Sequence, residues 1–148
     1  MKKNLCILFL TFITISAFGQ RTRTVTMGNN GIGIMVGSET GVNFKHFINQ
    51  RRAWDAAFSI GKNSNTFYAD YLFHTDQLLK TGNPWFYYGG GALLATGGNQ
   101  SVVAARGVVG LEFFVVPFDL FIEVAPVFSI TPSTHLDTDL EIGVRFFF

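Results

Sequence analysis

The sequence predicts an all-β protein, an eight-stranded antiparallel up-and-down β-barrel whose strands cross a membrane. Three observations lead to this prediction. From residue 31 onward, short runs with two-residue periodicity alternate with turn signals, without an amphipathic helix pattern between them. Within each run, charged residues occupy alternate positions and large apolar residues occupy the positions between them. We call these two sets of positions the two parities of the strand. The chain is 48% hydrophobic and 14% charged, yet its apolar content is spread over alternating positions, as on a barrel facing lipid.

The amino terminus has the pattern of a secretory signal peptide. Lys2 and Lys3 precede a mostly apolar stretch from Leu5 to Phe18, which is too short and too interrupted for a membrane-spanning helix. The predicted division of the chain is a cleaved signal peptide at 1–19, a mobile lead-in at 20–30 and an outer-membrane β-barrel at 31–148.

Charge and cysteine content exclude several classes of protein. Removal of the two lysines leaves nine of the eleven basic residues against ten acidic ones, so binding to nucleic acid is not indicated. Cys6 lies at the start of the apolar stretch rather than after it, which does not fit a lipidation site. The mature chain then has no cysteine, and closure of a sheet within a bilayer would supply the stability that disulfides give other small exported domains.

The first four predicted strands are short runs bounded by polar turns. In the second, third and fourth runs, Lys45, Asp55 and Asp70 have the opposite parity to neighbouring aromatic residues such as Phe44 and Trp54. These strands are predicted at 31–37, 41–48, 53–61 and 66–74, separated by turns at 38–40, 49–52 and 62–65.

The last four predicted strands contain glycine and proline at informative places. The fifth includes the run Gly89 to Gly91, which allows close approach of neighbouring backbone, and Pro126 in the seventh predicts a bulge or an irregular upper rim. These strands are predicted at 85–95, 102–114, 118–130 and 137–148, with connections at 75–83, 96–101, 115–117 and 131–136.

The parity of the charges decides which face of the barrel points inward. Eight strands enclose a lumen that only just holds side chains, so small residues and ion pairs fit inside and bulky apolar residues fit lipid. The predicted lipid-facing residues include Trp54, Phe58, Tyr71, Phe73, Trp85, Tyr87, Leu111, Phe113, Ile122, Phe146 and Phe148. The predicted ionic network of the lumen is Lys45, Asp55, Asp70, Arg106, Glu112, Glu123, Asp139, Glu141 and Arg145.

Such a network has a structural and a functional interpretation. Buried charges are tolerated when they are paired and hydrogen-bonded, which favours a plug that sets strand register. The alternatives are a proton or cation pathway, and a calcium site at Asp137, Asp139 and Glu141. Successive residues on one face of a strand are about 7 Å apart, so these three carboxylates would need help from another strand. We predict no catalytic, cofactor-binding or metal-binding residues.

The end of the chain carries a family resemblance. The segment from Glu141 to Phe148, with Gly143, Phe146 and Phe148 at the defining positions, resembles the carboxy-terminal assembly signal of small Gram-negative outer-membrane barrels of the OmpA-transmembrane and OmpX type. The resemblance implies insertion by the outer-membrane assembly machinery. The segments 31–37, 69–74, 87–91 and 120–126 also resemble a family of small, uncharacterised envelope barrels.

We therefore expect a monomeric protein of the cell outer membrane, in contact with membrane lipid and lipopolysaccharide, with both termini periplasmic. A structural role in envelope integrity is the first hypothesis. The others are a surface binding module that recognises lipopolysaccharide or a protein through its short loops, a narrow porin-like pore, and, ranked last, a lipid-modifying enzyme. An enzyme would need a histidine paired with a serine and oriented by an acid; His135 lies near Ser133, Thr134 and Asp137, but adjacent residues do not converge as a triad.

Overall fold

The structure is a computed structural model that describes residues 28–61, 64–75 and 84–148. The predicted signal peptide lies outside the described residues, as does most of the predicted lead-in. The eight strands are β1 (Asn30–Gly37), β2 (Gly41–Asn49), β3 (Arg52–Ile60), β4 (Asn65–Thr75), β5 (Trp85–Gly97), β6 (Gln100–Val115), β7 (Phe118–Thr131) and β8 (His135–Phe147).

The strands form one closed barrel in chain order, and every neighbouring pair is antiparallel. β8 closes the barrel on β1, for example through the pairs Gly33↔Arg145 and Gly37↔Glu141. The predicted eight-stranded antiparallel up-and-down barrel is confirmed. The first strand begins at Asn30 and the last strand ends at Phe147, and both residues lie at one end of the barrel, here called the termini end. The opposite end, here called the loop end, carries the β1–β2, β3–β4, β5–β6 and β7–β8 connections.

Pro126 stays within β7, opposite Thr138 of β8. On the β6 side, the register is the same before and after the proline, from Val109↔Val124 to Arg106↔Val127. Pro126 itself has no N–H to donate to this ladder. The register shift between β6 and β7 lies instead at Val103/Ala104, nearer the loop end. The irregularity of β7 pairing therefore lies nearer the loop-end rim than Pro126 itself.

Exposure is inverted relative to a water-soluble fold. Large apolar side chains cover the outside, for example Ile34 at 60% and Ile142 at 55% exposed, whereas Arg145 and Glu141 inside are 0% and 1% exposed. The described part of the chain contains no helix that is long and apolar enough to span a membrane.

Apolar and aromatic side chains also fill part of the lumen. Two clusters of buried apolar residues lie inside, one toward the loop end around Met35 and Phe121 and one toward the termini end around Phe47 and Phe147. Tyr87, predicted to face lipid, is 0% exposed and lies inside with the second cluster. Trp85 shares its parity and is half-buried, so the prediction for these two residues was wrong.

Candidate functional site in the barrel lumen

Eight of the nine predicted network residues are buried inside the barrel. They are Lys45 on β2, Asp55 on β3, Asp70 on β4, Arg106 and Glu112 on β6, Glu123 on β7, and Glu141 and Arg145 on β8. The ninth, Asp139, is only half-buried, because it lies one inward position closer to the loop end than Glu141. Within the described ranges Asp139 forms no ion pair.

Arg145 organises the first network, which lies toward the termini end. Its Nη2 lies 2.7 Å from Asp55 Oδ2, and its Nη1 lies 2.9 Å from Asp119 Oδ2 and 3.3 Å from Glu112 Oε1. Its Nε donates to Asn43 Oδ1. All of the side-chain nitrogens therefore have acceptors, which is the condition under which a fully buried guanidinium is tolerated.

Lys45 extends this Arg145 network across the barrel. Its ammonium forms an ion pair with Glu112, and His74 Nε2 lies 3.2 Å from the other oxygen of that carboxylate. The Nζ atom also lies 4.6 Å from the ring centroid of Tyr87 and 5.1 Å from that of Phe47. The carboxylate of Glu112 is thus shared by three cationic or potentially cationic side chains.

Arg106 organises the second network, which lies toward the loop end. Its Nη1 lies 3.0 Å from Asp70 Oδ2, and its Nη2 lies 2.6 Å from Glu123 Oε1 and 3.3 Å from Glu141 Oε2. Glu123 and Glu141 are directly opposite each other on β7 and β8, where like charges repel. Because Nη2 of Arg106 contacts both carboxylates, it offsets this repulsion.

Two tyrosines complete the Arg106 network. Tyr68 Oη donates to Glu141 Oε2 at 2.9 Å, and Tyr87 Oη donates to Glu123 Oε2 at 2.7 Å. The Arg106 guanidinium also stacks on the Tyr68 ring, with Cζ 3.7 Å from the ring centroid. Arg145 stacks on Phe121 in the same way at 3.6 Å, so each arginine has a ring on its face and carboxylates at its edge.

Inward glycines make room for the aromatic rings. A Cβ atom at Gly110 would overlap the Tyr87 ring, one at Gly143 would overlap Phe121, and one at Gly31 would lie 2.8 Å from the Phe147 ring. Each ring therefore occupies the space that the side chain of a larger residue on the neighbouring strand would need. This pairing explains how a narrow lumen accommodates bulky rings, including that of Tyr87, which was predicted to face lipid.

Several members of the site escaped the sequence prediction. Asn43, Tyr68, His74 and Asp119 lie on the charged parity of their strands, and parity is the signal that could have found them. Tyr87 could have been assigned from its two-residue spacing to Gly89 and Gly91, since inward glycines mark the lumen side.

A side chain from the β1–β2 connection bonds to two strands at the loop end of the barrel. The Glu39 carboxylate accepts hydrogen bonds from Ser59 Oγ on β3 and, at 3.1 Å, from Thr66 Oγ1 on β4. Both hydroxyl-bearing residues are buried, with exposures of 2% and 3%. Glu39 thus ties the 38–40 loop across the mouth of the barrel.

Replacement of Glu39 by Ala is expected to release this loop. Loss of the two hydrogen bonds should lower the unfolding free energy by about 1 kcal/mol and increase amide exchange in the 38–40 loop, measured by mass spectrometry on the detergent-solubilised barrel. Thr40→Ala, at the next and exposed position, is the control. Equal exchange in the two variants would contradict the role of Glu39.

A serine, a histidine and an aspartate meet at the rim of the barrel, but not as a triad. His135 Nε2 lies 2.8 Å from Asp137 Oδ2 and 3.4 Å from Ser129 Oγ, while Nδ1 faces the Ser133 carbonyl oxygen at 3.3 Å. A catalytic histidine uses one ring nitrogen for the serine and the other for the acid. Because both partners share Nε2 here, this geometry does not relay a proton from the serine to the acid.

The calcium alternative is not supported by the arrangement of acidic residues. Asp137 is exposed at the rim, Asp139 is half-buried and Glu141 is buried against Arg106. Among the described residues, no three His, Cys, Asp or Glu side chains form a group that could hold a metal ion.

The crystal structure of Neisserial surface protein A superposes with a TM-score of 0.54 and 16% sequence identity, over 80% of this chain and 93% of that one. The fold is that of a small outer-membrane β-barrel. No protein-family model and no curated protein matches the chain.

Proposed function

We propose that this chain is a non-enzymatic barrel of the bacterial outer membrane, that its lumen is plugged by its own side chains, and that its role is structural, in envelope integrity. The observation that carries the proposal is the inverted exposure. Large apolar side chains on the outside are 38% to 71% exposed, whereas the ionic side chains inside are 0% to 3% exposed. A closed barrel also pairs its backbone polar groups, which hydrocarbon requires.

The two arginine networks support the plugged lumen. Arg145 on β8 reaches Asp55 on β3, and Arg106 on β6 reaches Asp70 on β4 and Glu141 on β8. These contacts cross the lumen between strands that are not neighbours. Water or ions passing along the axis would have to displace side chains that are held by several charge-assisted hydrogen bonds.

The orientation and assembly of the barrel are part of this proposal. Phe146 and Phe148 point outward with exposures of 45% and 60%, and Gly143 lies under Phe121. We infer that these three residues form the signal read by the outer-membrane assembly machinery, that both termini are periplasmic, and that the loop end meets lipopolysaccharide. The barrel needs no partner subunit to close, which favours a monomer.

Conductance of the purified protein in planar lipid bilayers tests the plug. The wild type should show no stepwise current, because the two networks block the axis. The double variant Arg106→Ala/Arg145→Ala, which removes the guanidinium at the centre of each network, should admit ions. Val109→Ala, at an outward position that is 45% exposed, is the control and should stay closed.

Two outcomes would count against this proposal. Stepwise current through the wild type that changes in Arg106→Ala would show a pore rather than a plug. Absence of heat-modifiable migration on detergent gels, in the wild type itself, would show that the chain does not form a membrane barrel at all.

A further inference from the structure

Outward-facing Trp and Tyr side chains are confined to one side of the barrel, near the termini end. In the part of the chain that the structure describes they are Trp54 on β3, Tyr71 on β4 and Tyr88 on β5. Ring centroids are 4.8 Å apart for Trp54 and Tyr71, 5.2 Å for Tyr71 and Phe73, and 5.7 Å for Phe73 and Tyr88. These four rings form one continuous surface, here called the aromatic patch.

Two exposed arginines lie at the edge of the aromatic patch. Arg51 is in the β2–β3 turn, and Arg52 begins β3 directly opposite Phe73, with Cζ 5.9 Å from that ring centroid. Within the described ranges neither forms an ion pair, whereas every other described Lys or Arg is buried in the lumen networks. Among the residues that the structure describes, the termini end therefore presents two positive charges beside the patch that have no acidic partner.

The combination fits a lipid headgroup and its acyl chains. Trp and Tyr rings prefer the level of the headgroups, where one end is apolar and the other is wet. Arginine matches phosphate oxygens in a bidentate geometry. Toward the middle of the barrel, the patch borders the small outward residues Ala56, Ala69 and Gly90, which leave space for a chain to lie against the strands.

We propose that Arg51, Arg52 and the aromatic patch bind one anionic diacyl phospholipid, with its phosphate at the two guanidinium groups and its acyl chains on the rings. The charge complementarity selects an anionic headgroup over a zwitterionic one. This inference rests on the proposed membrane function. On the far side of the same end, β7 and β8 present Phe118 and Phe146, which have neither a polar tip nor an arginine pairing across from them.

Quenching of tryptophan fluorescence in vesicles measures the preference directly. The chain has two tryptophans, so Trp85→Phe leaves Trp54 as the reporter within the patch. The barrel is inserted into phosphatidylcholine vesicles that contain either phosphatidylglycerol or phosphatidylcholine with brominated acyl chains. We expect half-maximal quenching at an about fivefold lower mole fraction of the brominated phosphatidylglycerol, and loss of this difference in Arg51→Gln/Arg52→Gln.

A second reporter tests whether the site is local. In Trp54→Phe/Trp85→Phe/Phe118→Trp, the fluorophore lies on the far side of the same end of the barrel, and the two brominated lipids should quench it equally. Equal quenching at Trp54, a preference that survives loss of both arginines, or the same preference at position 118 would each overturn the proposed site. Heat-modifiable migration is measured for every variant, so that failure to form the barrel is distinguished from failure to bind the lipid.

Discussion

Replacement of Arg145 by Met is expected to lower the unfolding free energy of the barrel by roughly 3 to 5 kcal/mol. The side chain is 0% exposed and contacts the carboxylates of Asp55, Asp119 and Glu112. Without the guanidinium these acids stay buried, and Lys45 and His74, the remaining basic side chains of this network, both contact Glu112 rather than Asp55 or Asp119. An unpaired buried charge costs far more than a lost surface ion pair. Urea titration in lipid vesicles, followed by heat-modifiable migration, measures the change.

Two further variants separate charge from packing. Ile142→Ala, at an outward position of the same strand that is 55% exposed, should cost far less. Adding Asp55→Asn and Asp119→Asn to Arg145→Met should recover part of the loss, because the buried acids are then neutral. A triple variant no more stable than Arg145→Met would show that the arginine acts through packing on Phe121 rather than through its charge.

Replacement of Gly110 by Ala is expected to have the second largest effect, a loss of about 2 to 3 kcal/mol. The added Cβ would overlap the Tyr87 ring. Displacement of this ring would also break the 2.7 Å hydrogen bond from Tyr87 Oη to Glu123 and leave the carboxylate with fewer donors. Unfolding in urea and the yield of heat-modifiable barrel report the effect.

Gly107→Ala is the matched control, three residues away on β6. A Cβ atom there would lie 3.4 Å from Pro126 Cγ, an ordinary contact on the outer surface, and the change should be under about 0.5 kcal/mol. Adding Tyr87→Leu to Gly110→Ala should cost less than the two single changes together, since the collision is then absent. Equal losses at the two glycines would contradict the ring-over-glycine packing.

The strands were accessible to sequence reasoning because their signal is local. Alternation places Lys45, Asp55 and Arg145 on one face whatever their partners are, and polar turns mark the ends of the runs. The observed strands differ from the predicted ones by a few residues at most; β8, for example, begins at His135 rather than at residue 137.

Which aromatic residues lie in the lumen was harder to predict from the sequence. Volume suggested that bulky rings belong outside, yet Tyr87, which was predicted to face lipid, is 0% exposed, and Phe121 is 1% exposed. Their placement depends on which glycine lies beside each ring across the strands, and this follows from the register rather than from composition. Asp139 illustrates the converse, since it has the inward parity but lies too near the loop end to be buried.

By itself, the sequence determined the class of fold, the strand order and which face of each strand carries charge, because all three follow from periodicity along the chain. Only the tertiary structure decided which charges meet. Arg145 and Asp55 are 90 residues apart in sequence, and Arg106 and Asp70 are 36 apart. Closure and shear of the barrel bring them together, and neither quantity is encoded in any single strand.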